Sequence, residues 1–178
     1  MRQVLVLHPD SYCDAVFRIE VDVLRPQPNE LVLRYLVTGR IGDLLLPPGN
    51  FAGRADELWR HTCFEAFVLA TPPAYFEFNF SASRQWAGYA FEGYRSGMRN
   101  AYVPAAPRIG TKISDSELEV DVVLERLPLS EACRIGLCAV VEETNGRKSY
   151  WALAHLRGKP DFHHADGFAL TLPGATRA

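Results

Sequence analysis

Phe17-Arg18-Ile19-Glu20-Val21-Asp22-Val23 alternates strictly between apolar and charged residues. A strand points successive side chains to opposite faces, so this segment predicts a half-buried strand with one wet face. Pro26-Gln27-Pro28-Asn29 predicts a turn, because Pro fixes φ and Asn tolerates turn geometry. The run from residue 31 to about 41 predicts its hairpin partner, with Leu31, Leu33, Tyr35 and Val37 on one side. Residues 62–70 break the pattern, being apolar on both faces except for Glu65. Pro72-Pro73 ends that strand. Residues 75–81 then place Phe76, Phe78 and Phe80 on one face and Glu77 and Asn79 on the other. The parity predicts three buried phenylalanines between two sheets, with Glu77 and Asn79 facing away from that core. Further strands are predicted over 85–92, 108–114, 118–125, 133–142, 149–155 and 167–172. Asn145-Gly146 is the strongest hairpin signal in the chain. Short helical turns are predicted over 55–59 and 128–131, and a frayed tail after Pro173.

About ten short strands separated by Pro, Gly, Asn and Asp predict an all-β sandwich or barrel. Composition agrees: 178 residues, 48% hydrophobic and 22% charged, suit one globular domain over 1–178, with its core over about 10–172. Lys and Arg total 19 against 21 for Asp and Glu. That balance offers no excess of positive charge for a phosphate backbone, so nucleic-acid binding is not expected. The apolar run Val4-Leu5-Val6-Leu7 is too short for a secretory or membrane segment, so the expected compartment is the cytoplasm, without membrane attachment.

Cys13, Cys63, Cys133 and Cys138 form no C-x-x-C pair, which removes zinc-ribbon and thioredoxin readings. Cys133 and Cys138 are an odd number of residues apart and should face opposite sides of one strand. Glu65 sits between Phe64 and Phe67 in a strand buried on both faces. It is either a structural, hydrogen-bonded carboxylate or one that contacts a ligand or metal. Glu77 and Asn79 mark either a solvated outer face or a polar patch lined by aromatics. The second arrangement suits sugars, whose apolar faces stack on rings while amides and carboxylates bond the hydroxyls.

His155, Asp161, His163, His164 and Asp166 crowd into twelve residues. Such side chains can ligate a metal, although their spacing matches no compact signature such as H-E-x-x-H. The alternative is a loop whose side chains satisfy backbone groups and anchor the last strand. The segment from Lys159 to Phe168 is expected to be ordered, since Phe162 and Phe168 flank the His pair as apolar anchors, and to pack near Trp151 and the strand bearing Glu65. Met98 is the one internal methionine and, in principle, a haem ligand with a His, but no C-x-x-C-H attachment accompanies it. G-x-S-x-G, G-x-G-x-x-G and P-loop motifs are absent.

Three segments together carry a resemblance. They are Glu57-Leu58-Trp59-Arg60-His61-Thr62-Cys63-Phe64-Glu65-Ala66-Phe67, then Tyr75-Phe76-Glu77-Phe78-Asn79-Phe80-Ser81 with Trp86, then Tyr150-Trp151-Ala152-Leu153-Ala154-His155 through Lys159-Pro160-Asp161-Phe162-His163-His164. The chain resembles the bacterial DOMON-like domain proteins, which are similar to family 9 carbohydrate-binding modules and to haem- and sugar-binding DOMON domains. The resemblance implies an immunoglobulin-like antiparallel β-sandwich with short helical turns. In the carbohydrate-binding relatives a sugar lies between aromatic side chains and calcium ions support the fold. The implied function is a non-catalytic domain that binds a small, carbohydrate-like ligand. The ligand set would comprise Trp59, Glu65, Glu77, Asn79, Trp86 and Trp151, with His155, Lys159, Asp161, His163 and His164. Two other classes stay open: a protein–protein interaction domain, and an enzyme using the His/Asp cluster, with or without a metal.

Overall fold

The structure, a computed structural model, describes residues 1–49, 51–129 and 132–174. The turn expected over 128–131 lies partly outside them, and the tail after Pro173 mostly so. β1 (Arg2–Leu7), β2 (Val16–Leu24) and β3 (Leu31–Gly39) precede the two-residue β4 (Gly53–Arg54). β5 (Cys63–Thr71), β6 (Ala74–Phe80) and β7 (Gln85–Phe91) come next, then the two-residue β8 (Arg99–Asn100). β9 (Arg108–Ile113), β10 (Glu117–Leu124), β11 (Cys133–Glu142), β12 (Lys148–Ala152) and β13 (Leu170–Leu172) follow. Helical structure among the described residues is confined to 3-10 turns at Ile41–Asp43, Leu58–Arg60 and Ala165–Gly167. The all-β prediction holds. The strands beyond the expected ten are β1, whose apolar run lacks alternation, and the very short β4 and β8.

Hydrogen bonding runs continuously in the order β4-β7-β6-β5-β11-β12-β1-β2-β3-β10-β9, with β13 added to β11 and β8 to β7. The sheet curls into two facing layers, and β1 is the joint between them. Its Arg2–Leu5 half pairs with β2, while Val6 and Leu7 pair with β12. Every named pair is antiparallel except β4 with β7.

A central core fills the space between the layers. β2, β3 and β10 contribute Ile19, Val21, Leu33, Tyr35, Val120 and Val122. β5, β6 and β11 answer with Phe64, Phe78, Phe80, Leu137 and Ala139. Tyr35 packs on Phe64 at 5.1 Å between ring centroids, and its hydroxyl donates to the Glu65 carbonyl at 2.8 Å. The outer face of the first layer is wet and carries ion pairs such as Arg34–Asp121 and Arg2–Asp22, both 2.7 Å.

The outer face of the second layer is covered. Phe67, Tyr75, Tyr89, Phe91 and Cys138 form a second apolar cluster there, closed by Phe168. β12 ends at Ala152, earlier than its predicted 155, and β13 begins at Leu170 rather than 167. The residues between leave the sheet and cross its outer face. Phe168 stacks on Phe67 at 5.7 Å, and Arg134 Nε donates to the Phe168 carbonyl at 3.0 Å. Gly136 makes the close approach possible: a Cβ there would lie 2.8 Å from the Phe168 ring. Cys133 joins the central core and Cys138 the outer cluster, as their odd spacing requires, and all four thiols are free.

Candidate functional site

The register of β5 and β6 sets Glu65 opposite Asn79 and Phe67 opposite Glu77, so Glu65, Glu77 and Asn79 share the covered face. Parity is as expected, since Phe78 and Phe80 turn to the central core with Phe76 partly buried beside them. The solvated outer face is overturned: Glu77 is 5% exposed and Asn79 fully buried, because the outer aromatic layer lies over them. Asn79 Nδ2 donates to Glu77 Oε1 at 2.7 Å, and Cys63 Sγ lies 3.7 Å from Asn79 Oδ1. Glu65 is 3% exposed, and its Oε1 has no hydrogen-bond partner. Burial, reinforced by the neighbouring Glu77 charge, holds the Glu65 carboxyl well above the ordinary carboxylate range. Burial also raises Glu77, against the opposing pull of Asn79 and Arg95.

The crossing segment brings His163 onto this face. The Tyr75 oxygen accepts from the Arg95 backbone N–H at 3.3 Å and lies 2.8 Å from His163 Nδ1. A phenol hydrogen donated to Nδ1 leaves the His163 proton on Nε2. Nε2 faces Glu77 Oε2 at 3.8 Å. Burial, with the Arg95 charge adding to it, lowers the His163 pKa to about 4, so the imidazole is neutral near pH 7. Asp161 fixes the segment. It accepts from the Tyr94 hydroxyl at 2.6 Å, Arg95 Nη2 at 2.8 Å and the His163 backbone N–H at 3.1 Å. Burial alone would raise the Asp161 pKa, but these donors outweigh it and hold the carboxylate ionised.

Between the covered face and this segment lies a cavity of about 400 Å³. Trp59, Phe91, Tyr150 and Phe162 supply aromatic walls, joined by Met98, Val140 and Pro160. Glu65, Glu77, Arg95 and His163 supply polar atoms. Trp59 stands edge-on to Tyr89 at 5.7 Å, and Phe162 edge-on to Tyr150 at 6.1 Å. The arrangement can enclose a small molecule with an apolar face and several polar groups.

Of the residues singled out in the sequence, Trp59, Glu65, Glu77 and His163 converge on the cavity. Asn79 buttresses Glu77 from beneath, and Asp161 holds Arg95 and His163 in place. The others do not converge. Trp151 lies on the opposite face of β12, in the central core, and Trp86 also packs against that core with Arg54 over its ring. The crossing segment therefore meets Tyr150 rather than Trp151. His155 packs edge-on to His8 at 4.8 Å and its Nε2 lies 2.8 Å from the Val6 carbonyl. His164 Nδ1 accepts from the Asp166 backbone N–H at 3.3 Å, capping the 3-10 turn, and Lys159 is exposed. Adjacent histidines point apart here, which is why the cluster does not close around one point. Among the described residues, no group of three or more His, Cys, Asp or Glu side chains is placed to hold a metal ion. Sequence reasoning missed Arg95 and Tyr150 as site residues and did not connect Met98 with the cavity. Arg95 and Met98 sit in the irregular stretch after β7, where no periodicity marks them, while Tyr150 could have been found by parity with Ala152 on the covered face of β12.

The chain matches no protein-family model and no curated protein at a significant level of sequence similarity. Solved structures share its fold. A presumed carbohydrate-binding protein from Bacteroides uniformis superposes with a TM-score of 0.67 at 13% identity, over 93% of this chain and 83% of that one. A family 9 carbohydrate-binding module from Caldicellulosiruptor kristjanssonii, in complex with cellotriose, gives 0.56 at 9% identity over 89% of this chain and 74% of that one. A family 9 module from the same organism, in complex with glucose, gives 0.51 at 12% identity over 84% and 72%. The fold of this chain is that of carbohydrate-binding modules.

Proposed function

We propose that this chain is a non-catalytic binding domain, DOMON-like in kind, that holds a small carbohydrate-like ligand in the cavity beneath the crossing segment. The observation that carries the reading is the composition of that cavity. Four aromatic rings surround Glu77, Arg95 and His163, each of which is held by neighbouring protein groups before any ligand arrives. Prepositioned donors and acceptors inside aromatic walls match a molecule with apolar ring faces and equatorial hydroxyls. The volume lies within the range of about 300–1,000 Å³ usual for small-molecule sites. Sugar complexes on the same fold add support.

Thermal-shift and calorimetric titration with glucose, cellobiose and cellotriose test it. A ligand that binds only the folded state must stabilise it, by about 2.7 kcal/mol at a hundredfold excess over Kd. Bound sugar should raise Tm in the wild type and not in Trp59→Ala, which removes one wall. If no sugar raises Tm, the carbohydrate reading falls.

A further inference from the structure

Resting on that reading, we infer that the ligand carries a positively charged amine, and that the Glu65–Glu77 pair is the feature that selects it: the preferred class is an amino sugar rather than a neutral one. The inference stands on three observations. First, Glu65 lines the cavity, is 3% exposed, and keeps Oε1 without a partner. A buried polar atom left unpaired is costly, so the protein lacks a donor at this point. Second, among the described residues no cation forms an ion pair with Glu65 or Glu77, although the Arg95 charge is felt at Glu77. Arg95 is the cation in the cavity wall, and Asp161 binds it at 2.8 Å. His163 faces Glu77 as a neutral ring. Other titratable neighbours are Cys63 on β5, Cys138 on β11, Tyr35 on β3 and Tyr75 on β6, whose thiols and phenols burial keeps neutral. Third, the walls are aromatic, and aromatic faces attract ammonium groups.

A hydroxyl could satisfy Glu65 Oε1 but brings no charge to favour the ionised form of a pair that burial holds towards protonation. An ammonium offers three donors and one positive charge. It satisfies the orphan oxygen, favours the ionised form of the pair and can lie against the aromatic walls.

The test compares glucosamine, glucose and N-acetylglucosamine by calorimetry at slightly acidic pH, where the free amine is protonated. The three share one pyranose ring and differ in the substituent at one position, which is charged in glucosamine alone. The expected result is glucosamine tighter than either neutral sugar by about tenfold or more, equivalent to 1.4 kcal/mol. In Glu65→Gln, an isosteric change, the ratio between glucosamine and glucose should fall towards one. Glucose binding as tightly as glucosamine overturns the amine inference and leaves the carbohydrate reading standing. Tetramethylammonium or ethylammonium raising Tm when no sugar binds keeps the ammonium site and removes the sugar. If neither the sugars nor these amines bind, both readings are overturned.

Discussion

β10 and β6 each alternate, and each turns one set of side chains into the central core. On β10, the other set meets water: Glu119 and Asp121 pair with Lys112 and Arg34 on neighbouring strands, and Arg34 is half exposed. On β6, the other set meets protein: Glu77 and Asn79 bond each other beneath His163 and the outer aromatic layer. Alternation therefore assigns faces but not their solvent. The strands alongside decide that. β3 and β9 set Arg34 and Lys112 beside Asp121 and Glu119, whereas β5 and β7 set Phe67, Tyr89 and Phe91 beside Glu77 and Asn79. A polar residue among charged neighbours is a solvated face. The same residue among aromatics is an interior group, held for a reason other than solubility.

The comparison can be broken by measurement. The largest effect should come from the central core that both layers share. Phe78→Ala should cost roughly 3–5 kcal/mol in denaturant unfolding, as large-to-small core changes do. A cost below 1 kcal/mol would mean that Phe78 does not fill the core.

The covered face should next show itself in acid. The His163 pKa falls from an ordinary 6.5 to about 4 on folding. Below pH 6.5 the unfolded chain therefore takes up a proton that the folded chain refuses until about pH 4. The His163 contribution to stability should decline across that window by on the order of 3 kcal/mol, set against the opposite contribution of Glu65 and Glu77, whose raised carboxyls take up protons in the folded chain. His163→Asn should flatten this part of the pH–stability curve while leaving the wet face of β10 unaffected. An unchanged slope in the variant would place His163 in solvent.

Asn79→Ala removes the donor to Glu77 on the covered face and should cost about 1–3 kcal/mol. The matched change on the wet face is smallest. Asp121→Asn, breaking the exposed pair with Arg34, should cost about 0.2–1 kcal/mol and less in high salt. Equal costs at Asn79 and Asp121, measured side by side, would erase the distinction between the two faces.

Much of this fold was legible in the sequence, because strand parity and turn chemistry act locally. Phe17 to Val23, Leu118 to Leu124 and the Asn145-Gly146 turn all declare themselves within a few residues. The site was only partly legible, because its cover arrives from far along the chain. Phe162, His163 and Phe168 reach β5 and β6 from nearly a hundred residues away, and no local pattern announces where a connection will land. Trp86 and Trp151 illustrate the same limit: aromatic identity suggests a sugar wall, but one residue of parity sends each ring to the central core. Arg95 carried no signal, since it stands at positive φ in an irregular stretch and gains its role only through Asp161.

The pairing of β1 with both layers also bears on how the chain is made. Leu7 finds its partner at Trp151, 144 residues later by subtraction of the two paired positions. At a synthesis rate of about 5–20 residues per second, that interval is about 7–30 s. For that time Val6 and Leu7 have no β12 to pair with, although β2 is available to the first half of the strand within moments. The seam between the layers must therefore be sewn late, after β12 has emerged. A nascent chain stalled before residue 148 should hold the first layer assembled, with the Val6–Leu7 half of β1 still an open edge.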